Sequence, residues 1–218
     1  MLIPDISAVI FDMDGTIFDT ERLSTQGWRE AGKQLEYLLT EEVITSFRGN
    51  NNEVISQKLI AYGYSPEMAA QAWKLRDAYT RKYVTENGVP VKPGLSRLLS
   101  FLRDRGYRTA LSTGSSKDRA LWLCGLAGLS DAFDVWVFGD ELTKSKPDPE
   151  PFLVTARKLK TAPENCLVVE DSFNGVRAAD AAKMPVIMIP DEDTPTEEIR
   201  SMCNAVGTAL DEICVWLS

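Results

Sequence analysis

Ala8-Val9-Ile10-Phe11-Asp12-Met13-Asp14-Gly15-Thr16 begins with four apolar residues and breaks into two acids around a glycine turn. A short, uninterrupted apolar run closed by a turn signal predicts a strand covered on both faces, as in a parallel sheet. The same pattern recurs at Thr109-Ala110-Leu111-Ser112, Val135-Trp136-Val137-Phe138, Leu167-Val168-Val169 and Val186-Ile187-Met188-Ile189. Helical periodicity fills the intervals. Leu95, Leu98, Leu99 and Leu102 fall on one helix face, with Pro93-Gly94 before them and Gly106 as a stop. Phe152 to Leu159 and Val176 to Ala182 also read as helices. Strands alternating with helices predict an α/β chain with a doubly wound, Rossmann-like parallel sheet.

The alternation fails between Phe18 and Asn87. Apolar residues there recur at helical spacing, as in Trp28, Ala31, Leu35 and Leu38, or Val54, Ile55, Leu59 and Ile60. Breaks fall at Arg48-Gly49-Asn50 and Gly63-Tyr64-Ser65-Pro66. The expected division is an α/β core of residues 1–17 and 88–218, with an inserted helical domain over 18–87. The tail from Glu197 to Ser218 reads as one or two closing helices.

Composition narrows the chemistry. A net charge of −8 with no basic cluster disfavours nucleic acid and anionic membrane as partners. The four cysteines have no metal-binding spacing and read as reduced, buried thiols. With no leader pattern and no apolar run near the ~20 residues of a membrane span, a cytoplasmic monomer is expected. The chain has 0 histidines, which excludes Ser-His-Asp hydrolysis, His-ligated zinc and phosphohistidine chemistry.

Ligands of open parallel sheets bind at the carboxyl ends of the strands, so the polar residues there are the candidates. Asp12 can attack phosphorus as a carboxylate nucleophile, and Asp14, two residues on, can act as general acid and base. Asp-Gly alone reads equally as a turn. Thr113-Gly114-Ser115-Ser116 offers a hydroxyl and backbone N–H groups to phosphate, or a cap for the next helix through Ser115 or Ser116. Lys146, in a run with Pro147, Pro149 and Pro151, is a rigidly held cation or a solvated turn. Glu170 and Asp171 end an apolar strand. Packed against Asp12 and Asp14 they would repel, and a hard divalent cation such as Mg²⁺ would relieve this; otherwise they cap the following helix.

Together these residues resemble the haloacid dehalogenase superfamily, in its subgroup with a helical cap inserted after the first strand. The similarity runs through four motifs in order, and Phe-Asp-Met-Asp-Gly-Thr, Ser-Lys-Pro and Val-Glu-Asp-Ser are specific strings. The resemblance implies that Asp12 is the nucleophile and a Mg²⁺ ligand. It implies that Asp14 is the acid/base and binds metal through its carbonyl. Thr113, with Gly114, would hold the phosphoryl group, Lys146 would offset charge, Asp171 would ligate Mg²⁺, and Glu170 would ligate it or support a bound water. The second acid points to phosphate esters instead of carbon–halogen or phosphonate substrates.

The activity implied is a Mg²⁺-dependent phosphatase acting on a small phosphorylated metabolite, a sugar or polyol monophosphate. The runner-up is a β-phosphoglucomutase-like mutase. Those mutases carry a histidine early in the cap, at the place of Ser24 here. Lys74 and Arg76 could still supply a basic contact in that segment. A non-catalytic binding module would be expected to have lost some of these acids. Specificity is expected from the cap, where Glu21 could bond a sugar hydroxyl and Arg48 a second anion; Arg48 reads equally as a surface charge. Lys117 reads as surface.

Overall fold

The computed structural model describes residues 5–48, 50 and 52–218. Among these residues, six strands form one wholly parallel sheet: β1 (Ala8–Phe11), β2 (Arg108–Ser112), β3 (Val135–Val137), β4 (Cys166–Glu170), β5 (Val186–Met188) and β6 (Ala205–Val206). Their order is β3-β2-β1-β4-β5-β6. The chain therefore starts in the middle, builds one half outward, and returns to build the other. The expected α/β class is the one observed. β6 is an addition: it lies in the tail read as helical, and two residues are too few to carry a strand periodicity.

Among the described residues, the helices α5 (Leu95–Asp104), α7 (Glu150–Leu159) and α8 (Phe173–Ala181) pack with this sheet, and α6 (Lys117–Leu126) lies between β2 and β3 in the chain. Two short ones follow, α9 (Glu197–Met202) and α10 (Ile213–Trp216). Ile10, Ala110, Val168 and Met188 of the sheet share a buried cluster with Phe152 and Ala156 of α7, Val176 of α8 and Ile199 of α9. Leu95, Leu98, Leu99 and Leu102, the stripe read from sequence, are the buried face of α5.

Residues 1–19 and 91–218 cluster as one compact unit, and Thr20–Pro90 as a second. The second is helical: α1 (Thr20–Gln34), α2 (Glu41–Thr45), α3 (Asn52–Tyr62) and α4 (Pro66–Asn87). Trp28 sits at its centre, edge-on to Phe47 at 5.1 Å and to Trp73 at 4.8 Å, within a cluster that includes Ala31, Ile44, Leu59 and Ala72. Ser65 caps α4 by accepting from the Met68 N–H at 3.2 Å, with Pro66 in the first turn. α1 and α4 approach closely at Gly27, where a Cβ would stand 3.0 Å from the Arg76 carbonyl. Leu38 and Ile60 depart from their expected places on apolar faces and are exposed; α1 has ended at Gln34, so its period no longer governs Leu38. Because Trp28 anchors this unit's core, Trp28→Ala should cost about 3–5 kcal/mol of its stability, read as an earlier thermal transition.

Candidate active site

The topology reverses between β1 and β4, and β1 is also paired with β2. Phe11 is in register with both Leu111 and Val169, so the residues that follow these strands emerge side by side. The Asp12 N–H donates to the Val169 carbonyl at 3.1 Å, which ties the first acid to the end of β4. Asp12 is only 8% exposed, Glu170 0% and Asp171 8%.

Their carboxylate oxygens lie within 4.8 Å of one another. Lys146 donates to Asp12 Oδ1 and to Glu170 Oε1, both at 2.5 Å. The second oxygen of Glu170 accepts from the Asp171 N–H, the Ser172 N–H and the Ser172 hydroxyl, each at 3.0 Å. Thr16 donates to Asp171 Oδ1 at 2.7 Å. Burial pushes the Asp12 carboxyl up to about 8, against the opposing pull of the Lys146 ammonium and with further upward pressure from Glu170. Burial works against the Lys146 ammonium too, but Asp12 and Glu170 hold its pKa well above the ordinary value. Two of the three clustered carboxylates thus share one lysine, and the oxygen-only donor set is one that could hold a divalent metal ion.

Two glycines make room for this cluster. Gly15 has φ +86°, and a Cβ there would lie 2.2 Å from Asp171 Oδ2. At Gly175, in the first turn of α8, a Cβ would fall 1.9 Å from the Glu170 carboxylate. Replacing Gly175 with alanine should therefore displace Glu170 and weaken both folding and activity, measurable together as a lower melting midpoint and lower turnover.

Asp14 points to different partners. Its Oδ2 accepts from the Ser115 hydroxyl at 2.7 Å and its Oδ1 from Arg119 Nη2 at 2.9 Å. Thr113 is buried, and its hydroxyl accepts from the Ser115 N–H at 3.0 Å. Gly114 lies between them, with open space where a Cβ would stand. Of the two serines that could cap α6, Ser116 does so, accepting from the Arg119 N–H at 3.4 Å. Asp171 does not cap α8; Ser172 does, accepting from the Gly175 N–H at 3.0 Å.

Glu21, in the first turn of α1, and Arg48, just past α2, are half-buried residues of the helical unit and are not members of the carboxylate cluster. Gly49 and Asn51 of the loop around Arg48 lie outside the described residues. Ser24, at the place of the mutase histidine, accepts from Arg76 Nε at 3.1 Å and Nη2 at 2.7 Å. The Arg76 guanidinium lies over the rings of Trp28 and Trp73 at 5.9 and 5.5 Å. Three residues near the core site had no assigned chemistry in sequence: Thr16, Ser115 and Arg119. Thr16 stood within the diagnostic string, and Ser115 read as a possible cap. Nothing in the local pattern marked Arg119, whose position on α6 suits a surface arginine.

Such an arrangement defines an α/β protein whose acidic site is built at the switch point of the sheet, led by a carboxylate at the end of the central strand. Comparison with known proteins gives that class a family. Residues 6–183 match the haloacid dehalogenase-like hydrolases. The chain is 32% identical over 177 residues to a phosphorylated carbohydrates phosphatase of Thermotoga maritima, covering 81% of this chain and 82% of that one. It is 33% identical over 217 residues to a phosphoglycolate phosphatase of Nitrosospira multiformis, covering 95% and 93%. Its fold is similar to the crystal structure of β-phosphoglucomutase from Clostridium difficile, with a TM-score of 0.78, 25% identity, and coverage of 95% and 93%.

The chain belongs to the haloacid dehalogenase-like hydrolase family. The enzyme class expected from the sequence, a phosphoric monoester hydrolase of that family, is the class that its two phosphatase relatives represent. Among the described residues, no helix is long and apolar enough to cross a membrane.

Proposed function

We propose that the chain is a Mg²⁺-dependent phosphatase that transfers the phosphoryl group of a sugar or polyol monophosphate to Asp12 and then to water. The observation that carries the reading is the pairing of Asp12, at the end of the central strand, with Lys146 inside a cluster of buried carboxylates. The relatives named for phosphorylated carbohydrates and phosphoglycolate support a small phosphorylated substrate.

An Asp12 oxygen attacks phosphorus as the ester oxygen departs. Protonated Asp14 gives its proton to that oxygen, releasing the alcohol and leaving an aspartyl-phosphate. Asp14, now a carboxylate, takes a proton from water as the water oxygen attacks phosphorus. The bond to Asp12 breaks, inorganic phosphate leaves, and Asp14 is again protonated. Thr113 and the backbone of Gly114 hold phosphoryl oxygens, and Lys146 offsets the charge of nucleophile and phosphoryl group.

Asp12, Asp171 and the Asp14 carbonyl would hold Mg²⁺. Glu170, whose oxygens already accept four hydrogen bonds, would ligate the ion or support a water beside it. When bound, the ion neutralises the carboxylate cluster and the phosphoryl charge. Glu21 and Arg48 remain the proposed substrate contacts of the helical unit, with Glu21 serving a sugar hydroxyl and Arg48 a second anion. We further propose that residues 1–17 and 88–218 act as catalytic core and 18–87 as cap.

Chelation with EDTA should silence phosphate release from a panel of phosphorylated sugars and polyols, and added Mg²⁺ should restore it. Full turnover in chelator would contradict the metal site. The likeness to β-phosphoglucomutase favours a second reading as a mutase. Ser24 bonded to Arg76, in a chain without histidine, supports the phosphatase instead. With β-glucose 1-phosphate and a trace of the 1,6-bisphosphate, free phosphate should appear faster than glucose 6-phosphate; the reverse order would favour the mutase.

A further inference from the structure

Arg119 occupies a costly position. It is the third residue of α6 (Lys117–Leu126), so its cation lies near the positive end of the helix dipole. Its side chain is nevertheless only 15% exposed, where an ordinary arginine on a helix's first turn would extend into water. The Asp14 carboxylate, at 2.9 Å from Nη2, offsets both costs. The fork is used twice, because Nε also donates to the Ser115 hydroxyl at 3.3 Å. Ser115 in turn donates to the other Asp14 oxygen at 2.7 Å.

The result is a closed ring of three side chains. One bond would leave the Asp14 carboxylate free to turn about its last torsion. Bonds to both oxygens, from donors that are themselves linked, hold its plane and direction. The three come from different parts of the core: the loop after β1, the loop after β2, and α6.

We infer that Arg119, acting with Ser115, is a positioning residue that aims the Asp14 carboxyl for proton transfer to and from the reacting oxygen. The inference rests on the acid/base role proposed above for Asp14. Arg119 need not touch substrate. It acts when the alcohol leaves, since Asp14 loses its proton to the departing oxygen at that moment and the resulting carboxylate is received by donors already in place. It acts again when that carboxylate must face water. A purely structural ion pair would support folding but would not discriminate among leaving groups.

Leaving-group dependence is therefore the test. Arg119→Met, Arg119→Lys and Ser115→Ala are compared with wild type on glucose 6-phosphate, or whichever sugar phosphate of a panel wild type hydrolyses, and on 2,4-dinitrophenyl phosphate. The nitrophenolate leaves without a proton, so kcat/KM for it does not need Asp14 as acid. Arg119→Met should lower kcat/KM for the sugar phosphate about 100-fold and for the aryl ester by about threefold or less. Arg119→Lys keeps a charge but not the fork, and should recover part of the loss. Ser115→Ala should show the same selectivity with a smaller drop. Thermal midpoints accompany each variant; if Arg119→Met does not fold, the selectivity of the other two decides. Equal losses on both substrates, or no loss, would overturn the inference while leaving the phosphatase reading intact. A wild type that releases phosphate from neither ester would overturn that reading, and the positioning role with it.

Discussion

Asp12→Asn should reduce phosphate release by about 10⁴-fold or more, the scale on which removing an enzyme's nucleophile acts. The substitution is nearly isosteric, and the amide keeps an oxygen that can accept from Lys146, so packing at the end of β1 is retained. What it loses is a carboxylate able to form a bond to phosphorus. Folding should not suffer. Burial raises the Asp12 carboxyl from 3.8 to about 8, so the metal-free folded protein resists ionising it. Between those values the folded state binds more protons at Asp12 than the unfolded state does. Stability contributed by this group is therefore present at low pH and lost as pH rises towards 8. In chelator, the melting midpoint of wild type should fall over that window, and Asp12→Asn should flatten the fall. Near-normal turnover in the variant would remove Asp12 from the mechanism, and an unaltered pH slope would refute the electrostatic account.

The fold was legible because its strands are nearly pure apolar runs, which is how a strand covered on both faces must read. Val9, Ile10, Val168, Val169 and Ile187 are all fully buried. The ends of those runs then mark Asp12, Thr113 and Glu170 as candidate neighbours, because parallel strands release their following residues at one edge. Side-chain direction was not legible in the same way. Whether Glu170 faces a metal or its own backbone depends on how Asp171 and Ser172 turn back, and their three donors settle on one of its oxygens. Arg119 was missed for a related reason. Its partner is 105 residues away in sequence, and no local period encodes a contact of that range. β6 escaped because hydrogen bonding to β5, not hydrophobic patterning, defines it.

Lys146→Met should cost both activity and stability, and the balance between them tests how the cluster is held together. The ammonium is the group bridging Asp12 and Glu170, and its side chain is 13% exposed against 1% for Glu170. Methionine can retain the packing on the Phe152 ring, which the ammonium overlies at 4.8 Å. It cannot retain the charge. Removing one partner of a buried ion pair typically costs about 3–5 kcal/mol, and less here to the extent that burial already keeps Asp12 protonated in the metal-free protein. A protonated Asp12 is a poor nucleophile, so turnover should fall by about 1,000-fold even where the variant is folded. If the lysine and a divalent cation share the task of balancing the same carboxylates, the variant must lean harder on the cation. Added Mg²⁺ should then raise the melting midpoint of Lys146→Met by more degrees than that of wild type. An equal Mg²⁺ shift in the two proteins would mean that the lysine and the metal site are independent. Wild-type turnover in the variant would mean that the ammonium is not needed to offset charge at Asp12.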